Sequence, residues 1–237
     1  EFNLCDTAAL HLGAIPFSIY NTLPAEQIAV LLANAGSRIA VCERRFAPRL
    51  LQTGALERIV CIDGAPDDTL ALDELERSAP QLAFEAVWRA VEPDDVLTLI
   101  YTSGTTGPPK GVELTHANML AQLRAFTEVL PVLPGDRCVS YLPSAHIADR
   151  LLTHYFSLAC GAQITCVADA AQLPAALLDA RPTIWAAVPR VWEKLKAALD
   201  AAPELTGEAA RARLGLDQVR WSVTGAAPID VELLERF

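Results

Sequence analysis

The sequence of 237 residues lacks the features of membrane-spanning, secreted and nucleic-acid-binding proteins. No apolar run approaches the roughly 18 residues that a transmembrane helix needs. The amino-terminal stretch EFNLCDTAALHLGAI has no basic region of the kind that opens a secretory signal. Basic residues number 19 against 29 acidic ones, and the net charge of −10 argues against nucleic acid as a partner. A small local anion site made from backbone N–H groups is still compatible with this charge.

The sequence has six cysteines but no C-x-x-C pair. The cysteines are scattered, and several lie in apolar runs such as IAVCE and RIVCID. This pattern indicates buried free thiols in a reduced compartment, which predicts a cytoplasmic location.

The two ends of the chain lack the usual signs of a complete protein. The chain begins with Glu1, and its one methionine is Met119. It stops at Phe237, inside the predicted helix PIDVELLERF. We therefore expect the sequence to be a piece of a longer protein.

Short apolar, β-branched runs alternate with longer segments of helical period. The helical segments are 23–36, with Gly36 as a stop, 115–130, with Thr115 as an N-cap, and 188–202, with Glu193 paired to Lys196. Segment 64–95 is more acidic and predicts a surface excursion with short helices. The alternation predicts an α/β fold of mostly parallel sheets flanked by helices. The predicted strands, buried on both faces, are 15–20, 38–42, 58–63, 96–102, 137–142, 162–167, 183–188 and 219–225.

The stretch YTSGTTGPPKGVELTH, residues 101–116, follows a predicted buried strand. Its segment Thr102–Gly111 contains four hydroxyl side chains, three glycines, two prolines and one lysine. Glycines permit close backbone approach, while hydroxyls, N–H groups and Lys110 can contact phosphate oxygens. By itself a glycine cluster can equally be a surface turn, but the length and order of this one favour a phosphate-binding loop.

This loop does not match the two common phosphate-binding patterns. A P-loop needs Gly-Lys followed by Ser or Thr, but Pro109 precedes Lys110 and Gly111 follows it. The dinucleotide-binding pattern G-x-G-x-x-G is absent as well. The loop is therefore of another type.

The stretch closely resembles the signature of the adenylate-forming (AMP-binding) superfamily. YLPSAHIADRL (141–151) resembles the family loop beside the acyl site, and TGAAPI (224–229) resembles the element that packs on adenine. NTLPAEQIAVLLANAGSRIAV and VPRVWEKL are similar to the long-chain fatty acid–CoA ligase branch. The resemblance covers essentially the whole chain and places it in the middle of the family's large N-terminal domain.

The resemblance implies a reaction in which ATP and a long-chain fatty acid give acyl-AMP and pyrophosphate, and CoA then displaces AMP. It implies ATP, Mg²⁺, CoA and the fatty acid as ligands, with Thr102 facing the metal and Lys110 as the catalytic lysine of the loop. Contact with a membrane surface would suit such a substrate, but no basic amphipathic helix indicates it. The nucleotide-contacting residues implied by the resemblance are Thr102, Ser103, Gly104, Thr105, Thr106, Gly107, Lys110, Gly225, Ala226, Ala227 and Pro228.

Several residues have both a structural and a functional interpretation. His146 can cap or pack beside the helix that follows it, but its place in LPSAHIADR favours a role at the acyl carboxylate or phosphate. The segment 225–228 can be a tight turn, and the upstream loop favours adenine contact instead. Trp185, Arg190 and Trp192 are explained by core packing or surface pairing, and a place near the acyl tunnel is the alternative.

Other parts of the family pattern are absent from the sequence. These are the amino-terminal part of the large domain, the later ATP-site motifs and the small C-terminal domain. Residues 1–237 are therefore predicted to be an incomplete AMP-binding domain, and we expect the isolated chain not to complete the reaction. The alternatives are a ligase in truncated form, an inactive remnant that binds nucleotide or a partner, and a fatty acyl-AMP ligase.

Overall fold

A computed structural model of the protein describes residues 1–78, 81–102, 109–202 and 204–235. These residues form two compact units, Glu1–Leu120 and Ala121–Phe237. The strands are β1 (Ile39–Cys42), β2 (Arg58–Cys61), β3 (Leu70–Ala71), β4 (Val96–Thr102), β5 (Lys110–Thr115), β6 (Arg137–Ser140), β7 (Gln163–Cys166), β8 (Ile184–Ala187) and β9 (Trp221–Thr224). The helices are α1 (Phe2–His11), α2 (Ala25–Ala35), α3 (Ala47–Leu51), α4 (Leu72–Arg77), α5 (Phe84–Trp88), α6 (His116–Val129), α7 (Ile147–Asp149), α8 (Phe156–Cys160), α9 (Leu173–Ala180), α10 (Pro189–Asp200), α11 (Gly207–Leu214) and α12 (Val231–Glu235).

The predicted α/β class is confirmed. Strands β1, β2 and β3 form a parallel sheet, and β6 pairs with β7 and β8 with β9, also in parallel. The exception is the antiparallel pair of β4 and β5. In the described part of the chain, no helix is both long and apolar enough to cross a lipid bilayer.

In the first unit, helix α2 packs over the β1–β2–β3 sheet. The apolar face of α2 and the α3 segment bury their side chains against β2, because both have apolar residues at helical spacing. Helix α2 ends at Gly36, which takes the left-handed conformation with φ of 64°, as the sequence predicts. The core of this layer consists of Ile28, Leu32, Ala47, Leu50, Ile59 and Cys61.

The β4–β5 hairpin leads directly into helix α6. The predicted N-cap at Thr115 is confirmed, since its Oγ1 accepts a hydrogen bond from the N–H of Asn118 at 3.1 Å. The side chain of Asn118 accepts in return from the N–H of Thr115 at 3.1 Å. This reciprocal cap satisfies two backbone donors and fixes where the hairpin ends and the helix begins.

In the second unit, Asp136 joins the amino ends of three strands. Its carboxylate accepts hydrogen bonds from the Thr183 hydroxyl at 2.6 Å and from the N–H of Leu133 at 2.7 Å, and it pairs with Arg220. Burial alone would raise the pKa of Asp136. The hydrogen bonds and the charge of Arg220 outweigh burial and hold that pKa below its ordinary value. The N–H of Thr183 also donates to the carbonyl of Arg137 at 2.9 Å, which places β8 beside β6.

The core of the second unit explains the two tryptophans named from the sequence. Trp185 is 1% exposed and Trp192 is 6% exposed, and their rings meet edge to face at 6.4 Å. Tyr141 stacks on Trp185 at 5.4 Å. Arg190 is exposed and pairs with Glu193 at 3.4 Å. Core packing and surface pairing therefore account for all three residues Trp185, Arg190 and Trp192.

Three details differ from the sequence predictions. Residues 15–20 do not form a strand, although Pro16 accepts a hydrogen bond from Thr98 of β4. Lys196 pairs with Asp200, one turn further along α10, rather than with Glu193. Strand β1 is not buried on both faces, since the side chains of Ile39 and Val41, which alternate along the strand, are exposed. Short-range patterns do not contain this information about neighbours.

Gly215 ends helix α11 at a position that admits no side chain. Its φ is 73°, and a Cβ there would lie 2.3 Å from the carbonyl oxygen of Leu177. Gly36 has a similar φ of 64°, but no heavy atom lies within 4 Å of its Cβ position. Both positions would impose backbone strain on another residue, but only Gly215 would also impose a steric clash, so comparing substitutions at the two distinguishes these costs.

We expect Gly36→Ala to lower the free energy of unfolding by about 1 kcal/mol, the cost of a left-handed alanine. Gly215→Ala should cost at least about 2 kcal/mol more, because the backbone of α9 must move away. Urea unfolding followed by circular dichroism measures both. Equal destabilisation by the two substitutions would contradict the packing argument.

Candidate nucleotide-contacting site

The two described ends of the hydroxyl- and glycine-rich loop lie opposite each other. In the β4–β5 register, Thr102 is the direct partner of Lys110. Directly opposed side chains of an antiparallel pair project from the same face of the sheet. Both side chains are exposed. The predicted site residues Ser103, Gly104, Thr105, Thr106 and Gly107 lie outside the described residues.

Tyr101 and Gly111 form the next pair of this ladder. A Cβ built on Gly111 would lie 3.1 Å from Cζ of Tyr101, so the ring covers the glycine closely. The Tyr101 hydroxyl donates to Oδ1 of Asn34 at 2.7 Å, and its ring lies 5.3 Å from that of Phe17. Burial raises the pKa of Tyr101 above its ordinary value, which already lies well above neutral pH. From the sequence, the glycines of this loop were expected to permit close backbone approach to a phosphate, whereas the described neighbour of Gly111 is the Tyr101 ring.

His146 is the N-cap of the short helix α7. Its Nδ1 accepts a hydrogen bond from the N–H of Ala148 at 3.1 Å, and its own N–H donates to the carbonyl of Pro143 at 2.9 Å. An accepting Nδ1 places the proton of a neutral imidazole on Nε2. The capping interpretation of His146 is thus confirmed. The ring is exposed and retains Nε2–H as a donor, so a role toward a ligand stays a prediction.

A buried polar cluster behind His146 escaped the sequence analysis. Asp149 is 3% exposed and accepts hydrogen bonds from the hydroxyls of Ser140 and Ser144. Burial raises the pKa of Asp149, although these hydrogen bonds oppose the increase. Arg150 is fully buried and donates from Nε to the carbonyl of Ser144 at 3.1 Å. The sequence does contain a sign of this cluster: Asp149 and Arg150 are adjacent charged residues inside the apolar run IADRLL, where buried and paired charges are to be expected.

The chain turns into a π-helical stretch directly after this cluster. Residues Arg150–Tyr155 have this geometry, which is rare and occurs mainly as a local widening of a helix at functional sites. The guanidinium of Arg150 donates to the Tyr155 hydroxyl at 2.9 Å inside the stretch. The result is a rigid, hydrogen-bonded support for the segment 140–146.

The predicted adenine element follows strand β9 as an exposed turn. Gly225 has no heavy atom within 4 Å of its Cβ position, so its face is open. Ala226 has φ of 68°, a left-handed conformation that is unusual for alanine. The Oγ1 of Thr224 is buried and has no hydrogen-bond partner among the described residues. The open backbone face at Gly225 leaves room for a flat ring, whereas the buried Thr224 hydroxyl is not accessible from outside.

The described residues do not contain a metal site made by protein side chains alone. No group of three or more His, Cys, Asp or Glu residues within the described ranges could hold an ion. Thr102 can offer one hydroxyl oxygen. Mg²⁺ commonly binds through a few protein oxygens together with water and substrate phosphates, so a single protein ligand suits a metal that arrives with a nucleotide.

The two candidate groups belong to different units of the chain. Thr102 and Lys110 lie in the first unit, whereas His146 and the segment 225–228 lie in the second. Each group contains chemistry suited to a different part of a nucleotide or acyl substrate: hydroxyl and ammonium for phosphates, and an open backbone face for a flat ring.

Comparison with known proteins connects these groups to one family. The pattern of the AMP-binding enzyme family matches residues 1–237. A candidate fatty-acid–CoA ligase of Mycobacterium tuberculosis, fadD11, is 44% identical over 71% of this chain and 38% of its own length. Fatty acyl-CoA synthetase A of Dictyostelium discoideum is 33% identical over 82% of this chain and 31% of its own length. The chain thus spans about a third of the length of these relatives.

A solved structure supports the same relationship. The inhibitor-bound N-terminal domain of FACL13 from Mycobacterium tuberculosis superimposes with a TM-score of 0.77 at 26% identity, covering 99% of this chain and 56% of that one. The resemblance inferred from YTSGTTGPPKGVELTH is confirmed at the level of family and fold. The chain belongs to the AMP-binding enzyme family, and its relatives include fatty-acid–CoA ligases.

Proposed function

We propose that this chain contributes the phosphate- and adenine-contacting part of an ATP-dependent long-chain fatty acid–CoA ligase. The β4–β5 register carries the proposal, because it places Thr102 beside Lys110 at the ends of the loop. Membership of the AMP-binding family supports it, as do relatives that bear the name long-chain fatty-acid–CoA ligase. Since the chain spans about a third of such relatives, their activity comes to it only as part of this proposal.

The proposed first step joins two anions. A carboxylate oxygen of the fatty acid attacks the α-phosphorus of ATP, the bond to the β-phosphate oxygen breaks, and pyrophosphate leaves with its electron pair. In the second step the thiol of CoA loses its proton to solvent, its sulfur attacks the acyl carbon, and the bond from that carbon to the phosphate oxygen breaks, so that AMP leaves with the electron pair. An anion approaching a polyanion needs charge neutralisation and positioning more than proton transfer.

Lys110 and Thr102 would supply that neutralisation in the first unit. The exposed ammonium of Lys110 can pair with β- or γ-phosphate oxygens and follow pyrophosphate as it leaves. The hydroxyl of Thr102 would be one of the ligands of Mg²⁺, with phosphate oxygens and water as the others. When bound, the Mg²⁺ ion would offset phosphate charge.

The second unit would contact the base and the acyl group. The open face of Gly225 and the exposed backbone of residues 226–228 suit a flat adenine ring. His146 would donate from Nε2 to the acyl carboxylate or a phosphate oxygen. A general base is unnecessary there, because a carboxylic acid is already ionised at neutral pH.

The cytoplasm is the compartment that we propose for this reaction. All six cysteines are free thiols, and even the neighbouring Sγ atoms of Cys42 and Cys61 remain 4.0 Å apart. Free thiols suit a reducing compartment.

We expect Lys110→Ala to weaken binding of MgATP at least about tenfold, because one charge-assisted phosphate contact is worth about 1.5–3 kcal/mol. Isothermal titration calorimetry of the 237-residue chain measures the dissociation constant. Lys194→Ala is the matched control, since Lys194 is an exposed lysine on α10. Unchanged binding by Lys110→Ala would refute its assignment to the phosphate site.

We expect the 237 residues by themselves to catalyse no ATP–pyrophosphate exchange with palmitate, while still binding MgATP. The physical reason is that charge neutralisation from Thr102 and Lys110 supplies only part of the stabilisation that the transition state needs. A radiolabelled exchange assay measures this. Clear exchange would show that the complete first step resides in this chain. Absence of both exchange and binding would contradict the nucleotide role.

Ala226→Gly should raise the free energy of unfolding by about 0.5–1 kcal/mol, because glycine relieves the left-handed backbone of this turn. Ala227→Gly is the control, since the φ of Ala227 is not positive. It should lower stability by a similar amount through chain entropy alone. Thermal and urea unfolding measure the stability of both variants. If Ala226→Gly is less stable than the wild type, the backbone at Ala226 is not strained.

A further inference from the structure

We propose that Asn34 and Tyr101 are a positioning pair that sets where Thr102 and Lys110 stand, and thereby sets the affinity of the chain for polyphosphate. This inference rests on the proposed phosphate role of Thr102 and Lys110. Neither Asn34 nor Tyr101 belongs to the phosphate-contacting set itself. Their effect passes through the backbone of the hairpin.

The contact between the two residues is specific and directional. The Tyr101 hydroxyl donates to Oδ1 of Asn34 at 2.7 Å, with the carbonyl of Leu31 as a longer second acceptor at 3.4 Å. A tyrosine hydroxyl is protonated at neutral pH at its ordinary pKa, and burial raises the pKa of Tyr101 further, so the hydroxyl is a donor. Tyr101 is the donor and Asn34 the acceptor, so separate substitutions can remove the donor or the acceptor.

Helix α2 gives Asn34 a firm foundation. Leu31 and Leu32 on the same helix are 4% and 3% exposed, and Leu32 belongs to the core formed with β2. Asn34 itself is exposed, so it is not needed to fill this core. The hydrogen bond of Asn34 therefore ties the strand that carries Tyr101 to a helix whose position is fixed by its buried leucines.

The hairpin transmits this position to the phosphate-contacting residues. Tyr101 directly precedes Thr102, and the Tyr101 ring lies against Gly111, which directly follows Lys110. Tyr101 and Gly111 are also paired across the ladder, one step from the pair of Thr102 and Lys110. A displacement of the Tyr101 ring therefore moves both functional residues.

A second tie supports the same strand closer to its start. The Thr98 hydroxyl donates to the carbonyl of Pro16 at 2.7 Å, and Thr98 is fully buried. Phe17, next in sequence, contacts the Tyr101 ring. Strand β4 is thus held near its start by Thr98 and near its end by Tyr101. Loss of the Tyr101 hydroxyl would release the end of the strand while its start stays fixed. We therefore expect a larger effect on pyrophosphate binding than on the free energy of unfolding.

The experiment measures the affinity of the 237-residue chain for magnesium pyrophosphate by isothermal titration calorimetry. Tyr101→Phe removes the hydroxyl and keeps the ring. We expect it to weaken binding about fivefold in the wild-type background. The same substitution should have a much smaller effect in an Asn34→Leu background, where the short hydrogen bond is already lost and only the longer contact with the Leu31 carbonyl remains. It should weaken binding about fivefold again in an Asn34→Asp background, which restores an acceptor oxygen.

Comparison within each background cancels the charge that Asn34→Asp introduces. Asn34→Leu alters an exposed side chain, so it keeps the series informative if Tyr101→Phe lowers stability. Urea midpoints of every variant show whether each is folded at the assay temperature. A purely structural contact would shift those midpoints and leave the pyrophosphate affinity of the folded chain unchanged.

The outcomes separate this inference from the proposed function. If the wild-type chain does not bind pyrophosphate, or if Lys110→Ala binds it equally well, the phosphate role fails. If the wild type binds and Lys110→Ala does not, but Tyr101→Phe binds like the wild type, the positioning pair is overturned. An equal loss from Tyr101→Phe in all three backgrounds would also overturn it, because the effect would not pass through Asn34.

Discussion

The antiparallel pairing of β4 with β5 is the constraint on which the phosphate-contacting region depends. It fixes Thr102 opposite Lys110, and the next rung fixes Tyr101 against Gly111. Because side chains alternate between the two faces of a strand, a slip of one residue here would put the hydroxyl and the ammonium on opposite faces. The reciprocal cap of Thr115 and Asn118 fixes where β5 ends and α6 begins.

In the second unit, the exposed candidate segments follow strands that pair in parallel. Asp136 joins strand starts through Thr183 and Arg220, and the Trp185–Trp192 core fills the layer beneath. The turn after β9 contains Ala226 in a left-handed conformation, and the segment before α7 contains the exposed His146. A strained backbone such as that of Ala226 persists only where neighbouring structure fixes it. Near His146, the buried Asp149 and Arg150 form hydrogen bonds with Ser144, which lies two residues before the histidine.

Much of the fold followed from short-range patterns. Strand β4 and helices α2, α6 and α10 were predicted to within a few residues, because apolar period and capping residues are local properties. The run 15–20 was misassigned, since it has the composition of a strand but no ladder partner. Asp149 and Arg150 were missed for a related reason: burial of a charged residue depends on partners that approach from other segments.

The sequence by itself determined the family, the alternation of parallel strands with helices, and the candidate residues Thr102, Lys110, His146 and 225–228. Those features depend on residue type and spacing along the chain. Only the tertiary structure decided that Gly111 is required by the ring of Tyr101, that His146 caps a helix, and that Asn34 meets the Tyr101 hydroxyl. The last contact joins residues 67 positions apart. Such pairings arise from how a helix packs on a sheet, and no local pattern encodes that packing.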